Sequence, residues 1–127
     1  MPLRAGRYDS LPMDFNENKP IYKQIVDLSH ARIIADEWHV DGRVPSIKEL
    51  SVELAVNNRT VLKAFEELQS QGIIYSRRGL GYYVSPEAPR LILEARRAEF
   101  FNETLPELRE RMRLLGITLS DIAPHLG

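Results

Sequence analysis

The stretch Ser46-Ile47-Lys48-Glu49-Leu50-Ser51-Val52-Glu53-Leu54-Ala55-Val56-Asn57-Asn58-Arg59-Thr60-Val61-Leu62-Lys63-Ala64-Phe65 holds two helix starts close together. Ser46-Ile47-Lys48-Glu49 has the form of a capping box: the serine hydroxyl accepts a backbone N–H of the first turn, and Glu49 reaches back. The helix it opens carries Ile47, Leu50 and Leu54 inward and ends near Val56. Asn57 is a cap for the next helix. That helix places Val61, Phe65 and Leu68 on one face, with Ala64 and Leu62 beside it, and Gly72 closes it in a left-handed turn. Neither a proline nor a long loop separates the pair, so the pattern is helix-turn-helix.

Downstream, Ile73-Ile74-Tyr75-Ser76 and Tyr82-Tyr83-Val84 are β-prone runs around Arg77-Arg78-Gly79-Leu80-Gly81. They predict a hairpin with a basic, glycine-containing tip. Upstream, Pro20 opens a helix with a stripe of Ile21, Ile25, Leu28, Arg32 and Ala35, broadened by Ile33 and Ile34. It is expected to fade near Glu37–His39, with Trp38 as a core plug and Asp41-Gly42 as a turn. Ser85-Pro86-Glu87-Ala88-Pro89 reads as a linker. From Arg90 a second stripe follows: Leu91, Ala95, Ala98, Phe101, Leu105, Leu108, Met112 and Leu115. Pro106 interrupts it, so a kink or break is expected near Asn102–Leu105. Gly116 ends it, and Thr118-Leu119-Ser120-Asp121 caps a short last helix. The expected fold is mostly α (α+β): an N-terminal arm over 1–18, a winged helix-turn-helix over 19–86 and a two-helix tail over 87–127.

The 127 residues suffice for one domain with an appendage. No apolar run is long enough to span a bilayer, and Met1–Arg7 lacks the apolar core of a signal peptide. The absence of cysteine excludes disulfides, thiolate metal sites and thiol nucleophiles, and fits a reducing cytoplasm. The net charge of -1 argues against coating nucleic acid by bulk charge. Residues 43–85 alone have a positive balance, with six basic and four acidic side chains.

The helix after Asn57 begins with polar groups and two cations, Arg59 and Lys63, while Glu66 and Glu67 come later. A helix entering the major groove end-first needs donors for base edges and phosphates there, and carboxylates would be repelled. Viewed alone, the same residues equally suit a solvated helix end whose Asn57 and Thr60 satisfy backbone groups. The hairpin adds weight: Arg77 and Arg78 lie beside Gly79 and Gly81, which allow close backbone approach. Lys48, on the preceding helix, is within reach of a phosphate or simply solvated.

At these positions the chain resembles the DNA-binding domain of GntR-type regulators. The resemblance rests on Pro20-Ile21-Tyr22-Lys23-Gln24-Ile25, Gly42-Arg43-Val44-Pro45-Ser46, Glu49-Leu50, Asn57, Arg59-Thr60-Val61, Leu68, Gly72-Ile73-Ile74, Arg78-Gly79-Leu80-Gly81 and Val84. It implies that Lys48, Asn57, Asn58, Arg59, Thr60, Lys63, Arg78 and Gly79 lie at or near double-stranded DNA. It also implies that Tyr22, Val61, Leu68 and Val84 are mainly core. About 40 residues follow the wing, too few for the effector domain of larger GntR-type proteins. The two-helix tail is similar to the YtrA branch, in which the tail serves dimerisation. Lys48 stands where the family often has Arg, and Asn58 where it often has Arg or Pro, so an operator does not carry over from relatives.

A tail with an apolar stripe must bury it, either on its own winged helix or on a second copy, and pairing is the expectation. Its interleaved Arg96, Arg97, Arg109, Arg111, Arg113 and glutamates read as a salt-bridged solvated face. Asp27 with His30, and Asp36 with His39, share a ligand spacing but do not make a closed metal site. No phosphate-cradling loop, nucleophile elbow or paired carboxylates point to an enzyme, a cofactor or a metal. The sequence reading is a cytoplasmic homodimeric regulator binding an inverted repeat, with its effector unassigned. A winged helix serving protein interaction is the alternative.

Overall fold

The computed structural model describes residues 19–127; the expected arm over 1–18 lies outside them. Helix α1 spans Ile21–Ile34, α2 Ile47–Leu54 and α3 Asn58–Ser70. Strands β1 (Ile74–Arg77) and β2 (Gly81–Val84) form an antiparallel hairpin in which Ile74 faces Val84 and Arg77 faces Gly81. Helix α4 (Ala88–Glu99) follows, then a π-helical turn over Phe100–Thr104, α5 (Leu105–Leu115) and α6 (Leu119–Leu126). The chain forms two compact units, one ending at Ile92 and the other comprising Leu93–Gly127.

In the first unit α1, α2 and α3 enclose a core closed by the hairpin and the start of α4. Ile25, Leu50, Val61, Phe65, Leu68, Val84 and Ala88 are wholly inaccessible. Helix α3 presents Val61, Ala64, Phe65 and Leu68, the spacing of one helical face. Leu62, expected beside them, is exposed. The inward face of α1 is also rotated from the expected stripe: Ile25, Val26, Ser29, His30 and Ile33 are buried, and Ile21 is exposed. Gln24 is buried there too, so three polar side chains lie on that face, and each finds a partner: Gln24 Nε2 donates to the Lys19 carbonyl at 3.0 Å. The Ser29 hydroxyl donates to the Ile25 carbonyl at 2.8 Å, and His30 Nε2 lies 3.0 Å from Oε1 of Gln71, the residue that caps the end of α3.

Helix α1 stops at Ile34 rather than near Glu37–His39. Asp36 takes φ +60, and the Glu37 and Trp38 N–H groups both donate to the Arg32 carbonyl. This reversal returns Trp38 to the core, and the Arg32 guanidinium lies 5.9 Å from its ring centroid. Beyond it, the chain from Val40 to Val44 runs along β2. The Val44 N–H donates to Tyr82, the Asp41 N–H to Val84, and the Val84 N–H to Gly42. A side chain at Gly42 would put its Cβ 2.9 Å from the His39 carbonyl oxygen, so the turn needs glycine for space.

Between α2 and α3 the chain turns in Ala55-Val56-Asn57. Ala55 sits in the left-handed region at φ 56, ψ 46, where a Cβ crowds the backbone. Ala55→Gly is therefore expected to raise the unfolding free energy by about 0.5–1 kcal/mol, as urea denaturation would measure. An unchanged or lower midpoint would mean that the backbone strain is negligible there.

The segment Ser85–Pro89 is not a linker. Ser85 and Ala88 are buried, and α4 begins at Ala88, with Pro89 in the first turn where its missing N–H costs nothing. Ile92 is buried one turn later, and Leu91 packs against the same core.

The second unit has no buried residue. The break expected near Pro106 takes the form of a wide turn rather than a stop. The Leu105 N–H donates to the Phe100 carbonyl, five residues back. In a regular α-helix the Pro106 ring would clash with the carbonyl four residues earlier, and the wider turn relieves this. Gly116 (φ 66) ends α5, and Thr118 and Asp121 exchange hydrogen bonds as a capping box for α6. Arginine–glutamate pairs line the unit, Arg96–Glu99 at 3.0 Å and Arg113–Glu110 at 2.6 Å among them. Exposed pairs of this kind add little stability.

Candidate nucleic-acid interface

The capping chemistry read from the sequence positions the helix-turn-helix. The Ser46 hydroxyl accepts the Glu49 N–H at 3.0 Å, and Glu49 Oε1 accepts the Ser46 N–H at 2.8 Å. Those bonds hold the Glu49 carboxyl below its usual range, first through the Ser46 N–H, then through its side chain, with the Arg43 guanidinium contributing least. At α3, Asn57 Oδ1 accepts the Arg59 N–H at 2.7 Å. This spends the Asn57 carbonyl oxygen on the cap and leaves its amide N–H2 pointing away from that bond.

Asn57, Asn58, Arg59 and Lys63 are exposed and Thr60 is half-buried, so the leading end of α3 is not packed into the interior. Its first turn carries no acid. Lys48 is exposed on the first turn of α2. Lys63 Nζ lies 4.4 Å from the Tyr22 ring centroid, so a residue of α1 holds a cation of α3 in place. Tyr22 is accordingly partly core and partly a support for Lys63, which the sequence reading does not anticipate. Further along α3, Glu67 turns elsewhere: it lies 3.7 Å from Lys23 and accepts from Gln71.

The wing tip projects Arg77, Arg78 and Gly79, all exposed. Gly79 (φ +72) and Gly81 (φ +106) adopt conformations that side chains resist, and the Leu80 N–H closes the turn on the Arg77 carbonyl at 2.8 Å. The Arg77 guanidinium lies 5.1 Å from the Tyr83 ring, which stacks at 5.9 Å on Tyr75. Tyr75 in turn donates to Asp41 at 3.0 Å. Arg77 is thus drawn onto the outer face of the hairpin, while Arg78 stands clear. Among the described residues no carboxylate pairs with Lys48, Arg59, Lys63 or Arg78.

Wing and helices are tied together. Phe65 of α3 meets Tyr82 of β2 edge to face at 5.0 Å. Arg43, just before α2, donates from Nε to the Leu80 carbonyl at the wing turn. Nothing local in the sequence announces this role of Arg43, because its partner lies 37 residues away.

A description of bacterial regulatory proteins, gntR family, matches residues 21–84, half of the chain and the whole span from α1 to the end of the wing. The chain belongs to the GntR family. Within the family it is YtrA-like: it is 29% identical to the HTH-type transcriptional repressor YtrA of Bacillus subtilis over 88% of this chain and 85% of that protein. A GntR family transcriptional regulator from Listeria monocytogenes has a solved structure that matches with a TM-score of 0.70 at 30% identity, covering 88% of this chain and 96% of that one. The DNA-binding domain of AraR, solved in complex with operator ORE1, matches 53% of this chain and 82% of its own at 31% identity and a TM-score of 0.51. The protein is a DNA-binding transcription regulator and not an enzyme.

Among the described residues no group of three or more His, Asp or Glu is placed to hold a metal. Asp27 pairs with Lys19 and His30 with Gln71, whereas Asp36 and His39 bond each other at 3.0 Å. No described helix is long and apolar enough to cross a membrane.

Of the tail positions in the expected stripe, Ala95, Ala98, Phe101, Leu105, Leu108 and Leu115 are exposed and Met112 is half-buried, whereas Leu91 belongs to the first unit. The π-helical turn advances each residue less than an α-helix does, so Ala98 and Leu105 do not fall on one continuous face.

Proposed function

We propose that the protein works as a homodimer in a bacterial cytoplasm and binds an inverted-repeat operator sequence-specifically, with α3 in the major groove and the wing beside it. The observation that carries the DNA contact is the leading end of α3: exposed, capped by Asn57, free of acid and bearing cations that no carboxylate among the described residues neutralises. Asn58, Arg59 and the Asn57 amide are the base readers in this reading, by two-bond grips on base edges. Lys48, Thr60, Lys63, Arg77, Arg78 and the Gly79 backbone face phosphates and set salt dependence. AraR's DNA-binding domain, of similar fold, has been solved with its operator.

Dimerisation rests on the second unit. Phe101, Leu105, Leu108, Leu115, Leu119 and Leu126 are all exposed there, the last two at 78% and 79%. Apolar surface of this extent needs cover. A second copy supplies it and brings a second α3 to the duplex, which doubles the base contacts. Ala95, Ala98 and Met112 complete the proposed contact, while Leu91 is excluded by its packing on the winged-helix core.

Selection of bound fragments from a random DNA pool tests the whole reading. The expected product is a motif repeated with two-fold symmetry, its half-sites about one helical turn or a multiple of it apart. Enrichment of a single unrepeated site would remove the dimer. No enrichment at any salt concentration would leave the winged helix as a protein-interaction module.

A further inference from the structure

The wing tip has little of its own to hold it. Two glycines with positive φ flank Leu80, and one hydrogen bond closes the turn. Its outside anchor is Arg43. The Arg43 backbone lies opposite Tyr83 of β2 in an isolated antiparallel bridge. Its side chain then runs up the hairpin, where Nε donates to the Leu80 carbonyl at 3.2 Å. A Cβ on Gly81 would stand 3.2 Å from that same Nε, so the bare glycine makes room for the guanidinium. The other end of the fork lies 3.8 Å from Glu49 Oε1, the oxygen that also accepts the Ser46 N–H of the capping box. One planar group therefore spans a wing-turn carbonyl and the first turn of α2.

We propose that Arg43 is a positioning residue of the DNA interface, a strut that fixes the spacing between the wing tip bearing Arg78 and the helix-turn-helix. The role rests on the regulator reading above. It assigns Arg43 to protein contacts and not to a phosphate. The guanidinium suits this because its planar fork donates to the Leu80 carbonyl at one end and holds its charge 3.8 Å from Glu49 Oε1 at the other, a span that the compact ammonium of a lysine does not bridge. Without the strut Arg78 still carries its charge but presents it from a tip of variable position, and the ordering cost falls on binding.

The test is a double-mutant cycle on the duplex recovered from the selection. Arg43→Ala is expected to weaken binding about tenfold. In an Arg78→Ala background the same substitution is expected to weaken it less than about twofold, because the strut then has no contact to position. Arg43→Lys, which retains the charge, is expected to recover little of the loss. Thermal unfolding of Arg43→Ala should stay close to that of the parent, since the side chain is half exposed. Amide exchange at Leu80 should accelerate with or without DNA. Equal losses in the two backgrounds, or full rescue by lysine, would identify Arg43 as a direct phosphate contact and overturn the strut. A parent protein that binds no duplex would overturn the regulator reading itself, a result distinct from normal parental binding with additive losses.

Discussion

Phe65→Ala is expected to lower the unfolding free energy by about 3–5 kcal/mol, a large share of the roughly 5–15 kcal/mol typical of a domain. Phe65 is completely inaccessible, at the centre of the buried face of α3. Its ring is the edge-to-face partner of Tyr82, so truncation empties the core and removes the aromatic link between α3 and the wing. The neighbours are rotamer-restricted side chains on several elements, including Ile25, Val61 and Val84, and they cannot all relax into the gap. Urea denaturation measures the effect, and Leu62→Ala on the exposed side of the same helix is the control. Its loss should stay within about 1 kcal/mol. If Phe65→Ala cost no more than Leu62→Ala, the assignment of the buried face would be wrong.

Arg59→Ala has the largest expected effect on binding. Each half-site should lose about 1–3 kcal/mol, so a dimer loses roughly twice that, beyond about thirtyfold in affinity. The fold should be indifferent. The cap of α3 uses the Arg59 backbone N–H, which alanine retains, and the guanidinium has no carboxylate partner among the described residues. Fluorescence anisotropy on the selected duplex and on a scrambled one separates the two contributions. Loss on both duplexes alike would make Arg59 a phosphate contact. Loss on neither would remove α3 as the reading helix.

What could be read from the sequence follows from how local each cause is. The Ser46–Glu49 box, the Asn57 cap and the Thr118–Asp121 box are contacts within three residues, and all three form. The hairpin follows equally from short-range turn chemistry. The face of α1 could not be read from apolar periodicity, because Ser29 and His30 are buried with partners, and one partner, Gln71, is 41 residues away. Leu62 neighbours Val61 in sequence but lies off the face that buries Val61, Ala64, Phe65 and Leu68, a distinction that apolar character alone does not make. Ser85-Pro86-Glu87-Ala88-Pro89 reads as a linker, yet Pro89 suits the first turn of a helix. At the candidate interface, the cations of α3 and the wing are visible as residue types. What fixes them, Tyr22 beneath Lys63 and Arg43 beneath the wing, depends on contacts between distant segments.

Helix α4 begins with Ala88 and Ile92 sunk in the winged-helix core and is solvent-facing from Leu93 onward. The border between the unit that contains the helix-turn-helix and the one that follows it therefore falls inside a helix and not in a loop. Any chimera that exchanges the rear portion must keep α4 in phase as far as Ile92. One residue added or lost before Ile92 would swing that side chain about 100° around the axis and unseat it. Cutting at Pro86 would instead leave the front portion without the cork that seals its interior.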